Sequence, residues 1–197
     1  MTKLLLATNN PSKVREISDN LRDQNLTITS LLDLDKSKYP PEPHEDGETF
    51  EDNARIKAEF WSRQTDLLTL ADDSGILVEA LPDELGVRTV RFGKGAEATD
   101  EEWLDYFLER MKDAKNRRAK FICVLALASP RDSTRFFRGE VKGEILNEIA
   151  APILPRIPLS SVFLADGADQ VFAAMSESEK ARFSHRGKAL EEFKNFL

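Results

Sequence analysis

The 197-residue chain has 41% hydrophobic and 32% charged residues, a composition typical of a soluble globular protein with a sizeable core. No apolar run approaches the roughly 20 residues of a membrane-spanning helix, so the sequence predicts no membrane partner. The formal net charge of -7 opposes binding to a nucleic-acid polymer, whereas a small anionic ligand stays compatible with locally concentrated cations. The single cysteine, Cys123, excludes an internal disulfide and favours a cytoplasmic location, and we expect it to be a small buried residue.

The N-terminal part of the chain predicts a strand, a helix and a second strand. Residues 3–8 form a short apolar run, and residues 11–20 place apolar side chains on one helical face. Residues 26–31 then alternate as a strand does. In the polar loop before the helix, free N–H groups and Lys13 offer an anion site. Taken alone this signal is weak, because many first helices are capped by Asn or Ser.

A polar, proline-bearing loop over residues 33–47 is expected to lead into a helix that runs to about Gln64. Asn53 and Lys57 lie one turn apart on this helix and share a face. The acidic residues around Glu45 are open to two interpretations. They are either solvated charge that the helix dipole favours, or they include a ligand that joins Asp73 around a hard cation such as Mg²⁺.

Two adjacent carboxylates, Asp72 and Asp73, stand at the end of a predicted buried strand. The apolar run that begins at Leu68 is too short for a typical helix, so we expect a strand that ends at Asp72, followed by a turn at residues 74–75. Successive strand side chains point to opposite faces, so we expect Asp73 to face a cleft while Asp72 braces a neighbouring loop. The alternative is a polar turn that merely joins two strands.

Capping boxes mark two helices in the second half of the chain, one over residues 99–111 and one that opens at Ser176. Residues 120–128 and 134–141 predict two strands that are neighbours in the sheet. Three prolines within residues 149–163 exclude a long regular element there.

Three cationic or cationisable side chains, Lys180, His185 and Arg186, lie near the starts of the last two predicted helices. Cations at a helix start oppose the helix dipole, and an anion bound between them would explain this unfavourable placement. The alternatives are a surface basic patch and a satisfied core histidine.

Four blocks of the sequence contain most of the candidate site residues. They are Thr-x-Asn-x-x-Lys at 8–13, Thr-Phe-x-x-Asn-Ala-x-x-Lys-Ala at 49–58 after Glu45, Ala-Asp-Asp-Ser-Gly at 71–75, and Ser-His-Arg-Gly-x-Ala-Leu at 184–190 after Lys180. In order and spacing, nearly end to end, these blocks resemble the signature blocks of the inosine triphosphate pyrophosphatase family, whose substrates are deaminated purine nucleotides. The resemblance implies an α/β fold with an elongated mixed sheet flanked by helices. It also implies a single domain over residues 1–197 with two lobes, a central active-site cleft and a homodimer.

The resemblance also implies an activity. The family hydrolyses the α–β phosphate bond of ITP, dITP or XTP to give the nucleoside monophosphate and pyrophosphate, with Mg²⁺ as cofactor. Glu45 and Asp73 would be the metal ligands, and Asp73 would also orient or deprotonate the attacking water. Asp72 and Asn53 would support the site. The matching substrate-binding residues would be Thr8, Asn10, Lys13, Lys57, Ser74, Lys180, His185 and Arg186.

One loop departs from the family pattern. Where the family carries Gly-Phe-Gly-Tyr-Asp-Pro, this chain has Arg-Ile-Pro-Leu-Ser-Ser at residues 156–161. Ile157 replaces the aromatic platform for the base, and Ser160 replaces the carboxylate, so both contacts with the base should change. The sequence therefore predicts a nucleoside triphosphate pyrophosphohydrolase with altered base preference. The alternatives are a pyrophosphatase for other modified or pyrimidine nucleotides, and a catalytically weak nucleotide-binding sensor.

Overall fold

The computed structural model describes residues 2–82, 84–92 and 98–197. The strands in these ranges are β1 (Thr2–Leu6), β2 (Leu26–Ser30), β3 (Leu68–Val78), β4 (Arg118–Ser129), β5 (Asp132–Ile145) and β6 (Phe163–Ala165). The α-helices there are α1 (Pro11–Asn20), α2 (Phe50–Thr65), α3 (Asp100–Met111), α4 (Glu177–Phe183) and α5 (His185–Phe196). None of these helices has the length and apolar character needed to cross a membrane.

The strands form a mixed sheet in the order β2-β1-β3-β4-β5-β6. Strand β1 runs parallel to both β2 and β3, whereas β5 and β6 are antiparallel. The predicted α/β fold with a mixed sheet is therefore confirmed, and β4 and β5 are sheet neighbours as expected.

The chain divides into two compact units, each with its own hydrophobic core. The first unit comprises Met1–Asp73, Cys123–Gly139 and Arg186–Leu197. The second unit comprises Ser74–Ile122 and Glu140–His185. Strands β3, β4 and β5 each contribute residues to both units. That residues 1–197 act as a single domain stays a prediction.

The core of the first unit combines the first strand with the last helix. Leu4 and Leu6 of β1 are fully buried, and they belong to the same cluster as Ile17 of α1 and Leu190 and Phe193 of α5. Complete burial of one such side chain contributes about 1.5–3 kcal/mol to stability. The two ends of the sequence are therefore joined in one core.

The core of the second unit contains the apolar face of α3. Trp103, Phe107 and Met111 are buried on this helix. The predicted capping box is present in both directions, because Thr99 accepts from the N–H of Glu102 and the Glu102 carboxylate accepts from the N–H of Thr99. Local capping chemistry thus fixes the start of α3.

Strand β3 is longer than the sequence predicted. We expected it to end at Asp72 with a turn at Ser74 and Gly75, but it continues unbroken from Leu68 to Val78. The predicted turn is wrong because the backbone at residues 74–75 stays in the sheet, where β3 lies next to β4. Asp72 is buried and Asp73 is half-buried, and the expected orientation of Asp73 towards a cleft stays a prediction.

Gly143 lets β5 approach β6 closely, at the position where it pairs with Ala165. A Cβ atom there would lie 2.2 Å from the carbonyl oxygen of Leu164 and 2.7 Å from Cζ of Phe163. We expect Gly143→Ala to lower the free energy of unfolding by about 1–3 kcal/mol, as measured by urea denaturation. The exposed neighbour provides the control, because Lys142→Ala should change the same quantity by less than about 0.5 kcal/mol. Unchanged stability in Gly143→Ala would contradict this close approach.

Candidate active site

Asp72 is a buried carboxylate with cationic partners. Its Oδ1 atom accepts from the ammonium group of Lys13, and its Oδ2 atom accepts from Nε of Arg186 at 3.0 Å and from Sγ of Cys123 at 3.1 Å. Burial alone would raise the pKa of Asp72, but the positive charges of Lys13 and Arg186 prevail and hold the pKa well below its usual range. The carboxylate therefore stays ionised inside the first unit.

Arg186 lies buried at the start of α5, between two carboxylates. Its Nη1 atom donates to Oε2 of Glu16 at 2.6 Å, while its Nε atom donates to Asp72. Burial would lower the pKa of Arg186, but Asp72 and then Glu16 raise it above its usual value. These contacts differ from the expected contact with phosphate or base and favour a bracing role, so substrate contact by Arg186 stays a prediction.

Two residues of this charged network, Glu16 and Cys123, were missed by the sequence reasoning. Glu16 had a usable signal, because it lies three residues after Lys13 and therefore on the same face of α1. Cys123 was correctly expected to be buried, but nothing in the sequence indicated that its thiol would donate to Asp72.

Lys57 of α2 brings the two predicted metal ligands together. Its Nζ atom lies 3.1 Å from Oε2 of Glu45 and 3.8 Å from Oδ1 of Asp73. The same ammonium group donates to the backbone carbonyl of Asp72 at 2.8 Å. The side chains of Lys57 and Asp73 are each only 14% exposed. Residues far apart in the sequence therefore converge on one nitrogen atom.

Asp73 has one carboxylate oxygen that the protein leaves unused. Its Oδ2 atom is buried and has no hydrogen-bond partner among the described residues. Burial raises the pKa of Asp73 to about 6, against the lowering effect of the Lys57 charge. An unused buried oxygen is rare in folded proteins and points to a ligand or a catalytic role.

Glu45 and Asp73 fit the chemistry of a magnesium site. Mg²⁺ takes oxygen ligands, and proteins commonly hold it through one or two carboxylates together with substrate phosphates and water. Among the residues that the structure describes, no group of three or more His, Cys, Asp or Glu side chains is placed to hold a metal. A metal bound at this pair would therefore complete its ligand set from the substrate and from water.

The loop before α1 is ordered by its own side chains. Asn10 caps the helix by accepting from the N–H groups of Ser12 and Lys13 at 3.0 and 3.4 Å. Oγ1 of Thr8 accepts from the N–H of Asn10 at 3.2 Å. The N–H groups that we expected to bind an anion are thus used by Asn10, and a phosphate at this end would compete with its side chain.

The loop that carries Glu45 is held against the start of α2. Asn53 is buried, and its Oδ1 atom accepts from the N–H of Gly47 at 2.8 Å. A Cβ atom on Gly47 would lie 2.5 Å from Cβ of Asp52 and 2.7 Å from Oδ1 of Asn53, so only glycine fits this approach. Asn53 thus holds the loop at Gly47, and its supporting role in the active site stays a prediction.

Three predicted substrate-binding residues lie in the second unit, namely Lys180, His185 and Ser74. The ring of His185 stacks on Phe121, with a centroid distance of 4.8 Å and an interplanar angle of 15°. Nζ of Lys180 is 3.3 Å from Oε1 of Glu177, and Ser74 is half-buried in β3. Their predicted contacts with substrate stay predictions.

The divergent loop forms a short 3₁₀ helix over Pro158–Ser161. Ile157 is 37% exposed, whereas Ser160 is buried and its hydroxyl donates to the carbonyl of Ile157 at 2.6 Å. The hydroxyl proton of Ser160 is therefore used within the loop, which leaves only acceptor capacity for a ligand. The predicted contacts of Ile157 and Ser160 with the base stay predictions.

Comparisons with known proteins give the class of this chain. It is 41% identical over 194 residues to a dITP/XTP pyrophosphatase of Thermus thermophilus, which covers 95% of the chain and 88% of the relative. It is 36% identical over 203 residues to the dITP/XTP pyrophosphatase of Bacillus licheniformis, at coverages of 100% and 98%. A HAM1 protein from Coxiella burnetii has the same fold, with a TM-score of 0.87 and 34% identity, and the match covers 100% of this chain and 98% of that chain.

Two of these relatives carry the name dITP/XTP pyrophosphatase, and the third, a HAM1 protein, shares the α/β fold. The model of the Ham1 family matches residues 4–196, and the chain belongs to this family. The resemblance inferred from the four sequence blocks is confirmed.

Proposed function

We propose that this chain is a magnesium-dependent nucleoside triphosphate pyrophosphohydrolase that cleaves the α–β phosphate bond. The observation that carries the proposal is the convergence of Glu45 and Asp73 on Lys57, with Oδ2 of Asp73 buried and unused among the described residues. The names of the relatives support dITP and XTP as substrates, and ITP belongs to the same chemical class. Magnesium as the metal is supported by the carboxylate pair and the family resemblance, a homodimer by the resemblance alone, and a cytoplasmic location by the single cysteine.

Asp73 is the proposed general base. Its pKa of about 6 lies close to neutral pH, so the carboxylate is mostly ionised at pH 7 and above while it is still basic enough to accept a proton. Its Oδ2 atom would take the proton of the attacking water, because no donor among the described residues occupies it. The low exposure of the side chain keeps bulk water from competing for this position.

Lys13 and Lys57 supply positive charge for the triphosphate. Fixed cations stabilise the negative charge that develops on the phosphate oxygens in the transition state. Asp72, braced by Arg186, holds the ammonium group of Lys13 in place, so the charge needs little reorganisation during the reaction. When bound at Glu45 and Asp73, Mg²⁺ would neutralise further phosphate charge.

The divergent loop supports an altered base preference as part of the proposal. Stacking of a base on an aromatic ring contributes roughly 1–3 kcal/mol in nucleic-acid proteins, and Ile157 offers no aromatic ring. Because the hydroxyl of Ser160 already donates to the carbonyl of Ile157, it would not donate to a base edge in this conformation. We expect weaker discrimination among bases than an aromatic and acidic loop would give.

A panel of nucleoside triphosphates tests this function. ITP, dITP, XTP and the four common ribonucleotides are assayed for pyrophosphate, phosphate and nucleoside monophosphate, each with Mg²⁺ and with EDTA. We expect monophosphate and pyrophosphate in equal amounts, and only with Mg²⁺. Release of inorganic phosphate as the first product would contradict the reaction, and a strong preference for ITP and XTP would contradict the altered base preference.

A designed variant tests the loop directly. Ile157→Phe restores an aromatic ring and should lower KM for purine nucleotides by about fivefold or more, since a factor of ten corresponds to about 1.4 kcal/mol. The exposed Ile149 provides the matched control, and Ile149→Phe should leave KM unchanged. An equal decrease in KM in both variants would contradict a specific contact between residue 157 and the base.

A further inference from the structure

We propose that the ammonium group of Lys57 occupies the position of the divalent metal while no metal is bound, and that it leaves Glu45 and Asp73 when the metal binds. Because the proposed function places a metal at this carboxylate pair, the exchange rests on that function. Lys57 would then have two successive partners, the carboxylates before metal binding and a phosphate group of the substrate afterwards.

The contacts of Lys57 favour this exchange. Its Nζ atom faces Oε2 of Glu45, Oδ1 of Asp73 and the carbonyl oxygen of Asp72, at 3.1, 3.8 and 2.8 Å. All three atoms are oxygens, the ligand type that Mg²⁺ also prefers. The protein therefore directs a cation of its own to the oxygens that would bind the metal.

The charges explain why the exchange would go to completion. The ammonium group of Lys57 brings one positive charge to the two carboxylates, whereas a divalent cation brings two. An ammonium group and a divalent cation that share the carboxylate of Asp73 would repel each other strongly, because the side chains of Lys57 and Asp73 are only slightly exposed. Metal binding would therefore release Lys57 from Glu45 and Asp73.

The side chain of Lys57 can make this movement without the helix. A lysine carries its charge on a flexible four-carbon stem with rotatable donors, so the ammonium group can turn while α2 stays in place. The phosphates of the substrate would offer it a new partner. By linkage, the nucleotide should then increase the affinity for the metal, and the metal should increase the affinity for the nucleotide by the same factor.

Metal binding without nucleotide tests the exchange. Mn²⁺, which takes the same oxygen ligands as Mg²⁺, is titrated into the full-length protein and followed by electron paramagnetic resonance. We expect Lys57→Met to bind Mn²⁺ at least about tenfold more tightly than the wild type, because no internal cation competes. Arg55→Met removes one exposed positive charge from the same helix and should change the affinity by less than about twofold.

Lysine labelling of the wild type supplies a second measurement that needs no folded variant. Saturating Mg²⁺ should increase the reaction of Lys57 with an amine-specific reagent at least threefold, as seen by mass spectrometry, while the exposed Lys38 stays unchanged. Unchanged labelling of Lys57, or equal Mn²⁺ affinity of the wild type and Lys57→Met, would overturn the exchange and leave the proposed function intact. Failure of both proteins to bind Mn²⁺, even with nucleotide present, would instead overturn the metal site itself.

Discussion

Asp73→Asn should reduce pyrophosphate release at least about a thousandfold while the protein stays folded. The substitution keeps the shape of the side chain but removes the negative charge that would bind the metal and accept a proton. Glu48→Gln is the control, because Glu48 is an exposed carboxylate in the same acidic stretch as Glu45, and this variant should keep its turnover. Wild-type pyrophosphate release in Asp73→Asn would show that the assignment of Asp73 is wrong.

The same variant should be more stable than the wild type when no metal is present. The pKa of Asp73 is raised from 3.8 to about 6, so the folded state holds the proton more tightly than the unfolded state does. Such a group favours folding below pH 3.8 and loses this contribution as the pH rises to about 6. Above that pH the buried charge lowers the free energy of unfolding by an amount on the order of 3 kcal/mol, which Asp73→Asn would recover.

Urea denaturation with EDTA between pH 4 and pH 8 measures this difference. The stability of Asp73→Asn relative to the wild type should grow up to about pH 6 and then stay constant, following the titration of Asp73. Addition of Mg²⁺ should raise the stability of the wild type and have little effect on the variant. A variant that is less stable than the wild type at pH 8 would contradict the unfavourable burial of the Asp73 charge.

Asp72→Asn should have the opposite effect on stability, with a loss of about 3–5 kcal/mol in the free energy of unfolding at neutral pH. The substitution would leave the ammonium group of Lys13 and the buried guanidinium of Arg186 without the carboxylate that neutralises them. Because the pKa of Asp72 is lowered in the folded state, its contribution is present above pH 3.8 and disappears as the pH falls towards the folded-state pKa. The difference in the free energy of unfolding between the wild type and Asp72→Asn should therefore become smaller in strong acid.

A double-mutant cycle separates this pairing from a general loss of packing. Arg186→Met removes the cation and retains much of the apolar volume. The free energy of unfolding of the double variant Asp72→Asn/Arg186→Met should fall by much less than the sum of the decreases in the two single variants. Strict additivity of the two single losses would mean that Asp72 and Arg186 do not depend on each other, in contradiction to their 3.0 Å contact.

The elements that the sequence predicted well are those fixed by local chemistry. Helix α1 begins at Pro11, and the capping boxes at Thr99 and Ser176 mark the starts of α3 and α4. Each signal lies within one helical turn of the boundary that it defines, so no distant contact was needed to interpret it. The same reasoning explains why Asn53 and Lys57 were placed correctly on one face of α2.

The errors concern residues whose partners come from elsewhere in the sequence. A polar stretch around Asp72 indicates a turn when it is considered alone, but it continues as a strand next to β4, which comes from a distant part of the sequence. The protein partners of Arg186 could not be predicted either, and its expected contact with the substrate stays a prediction. The anions that it contacts are Asp72 and Glu16, and no spacing rule connects them to residue 186.

Cys123 makes the charged network accessible to a kinetic experiment. It is the only cysteine of the sequence, it is fully buried, and its thiol touches the carboxylate of Asp72. A thiol reagent can reach it only during a transient opening of the first unit, so the labelling rate reports how often these charges are exposed to water. The labelling rate of this natural cysteine thus measures how often the region that supports Lys13 opens.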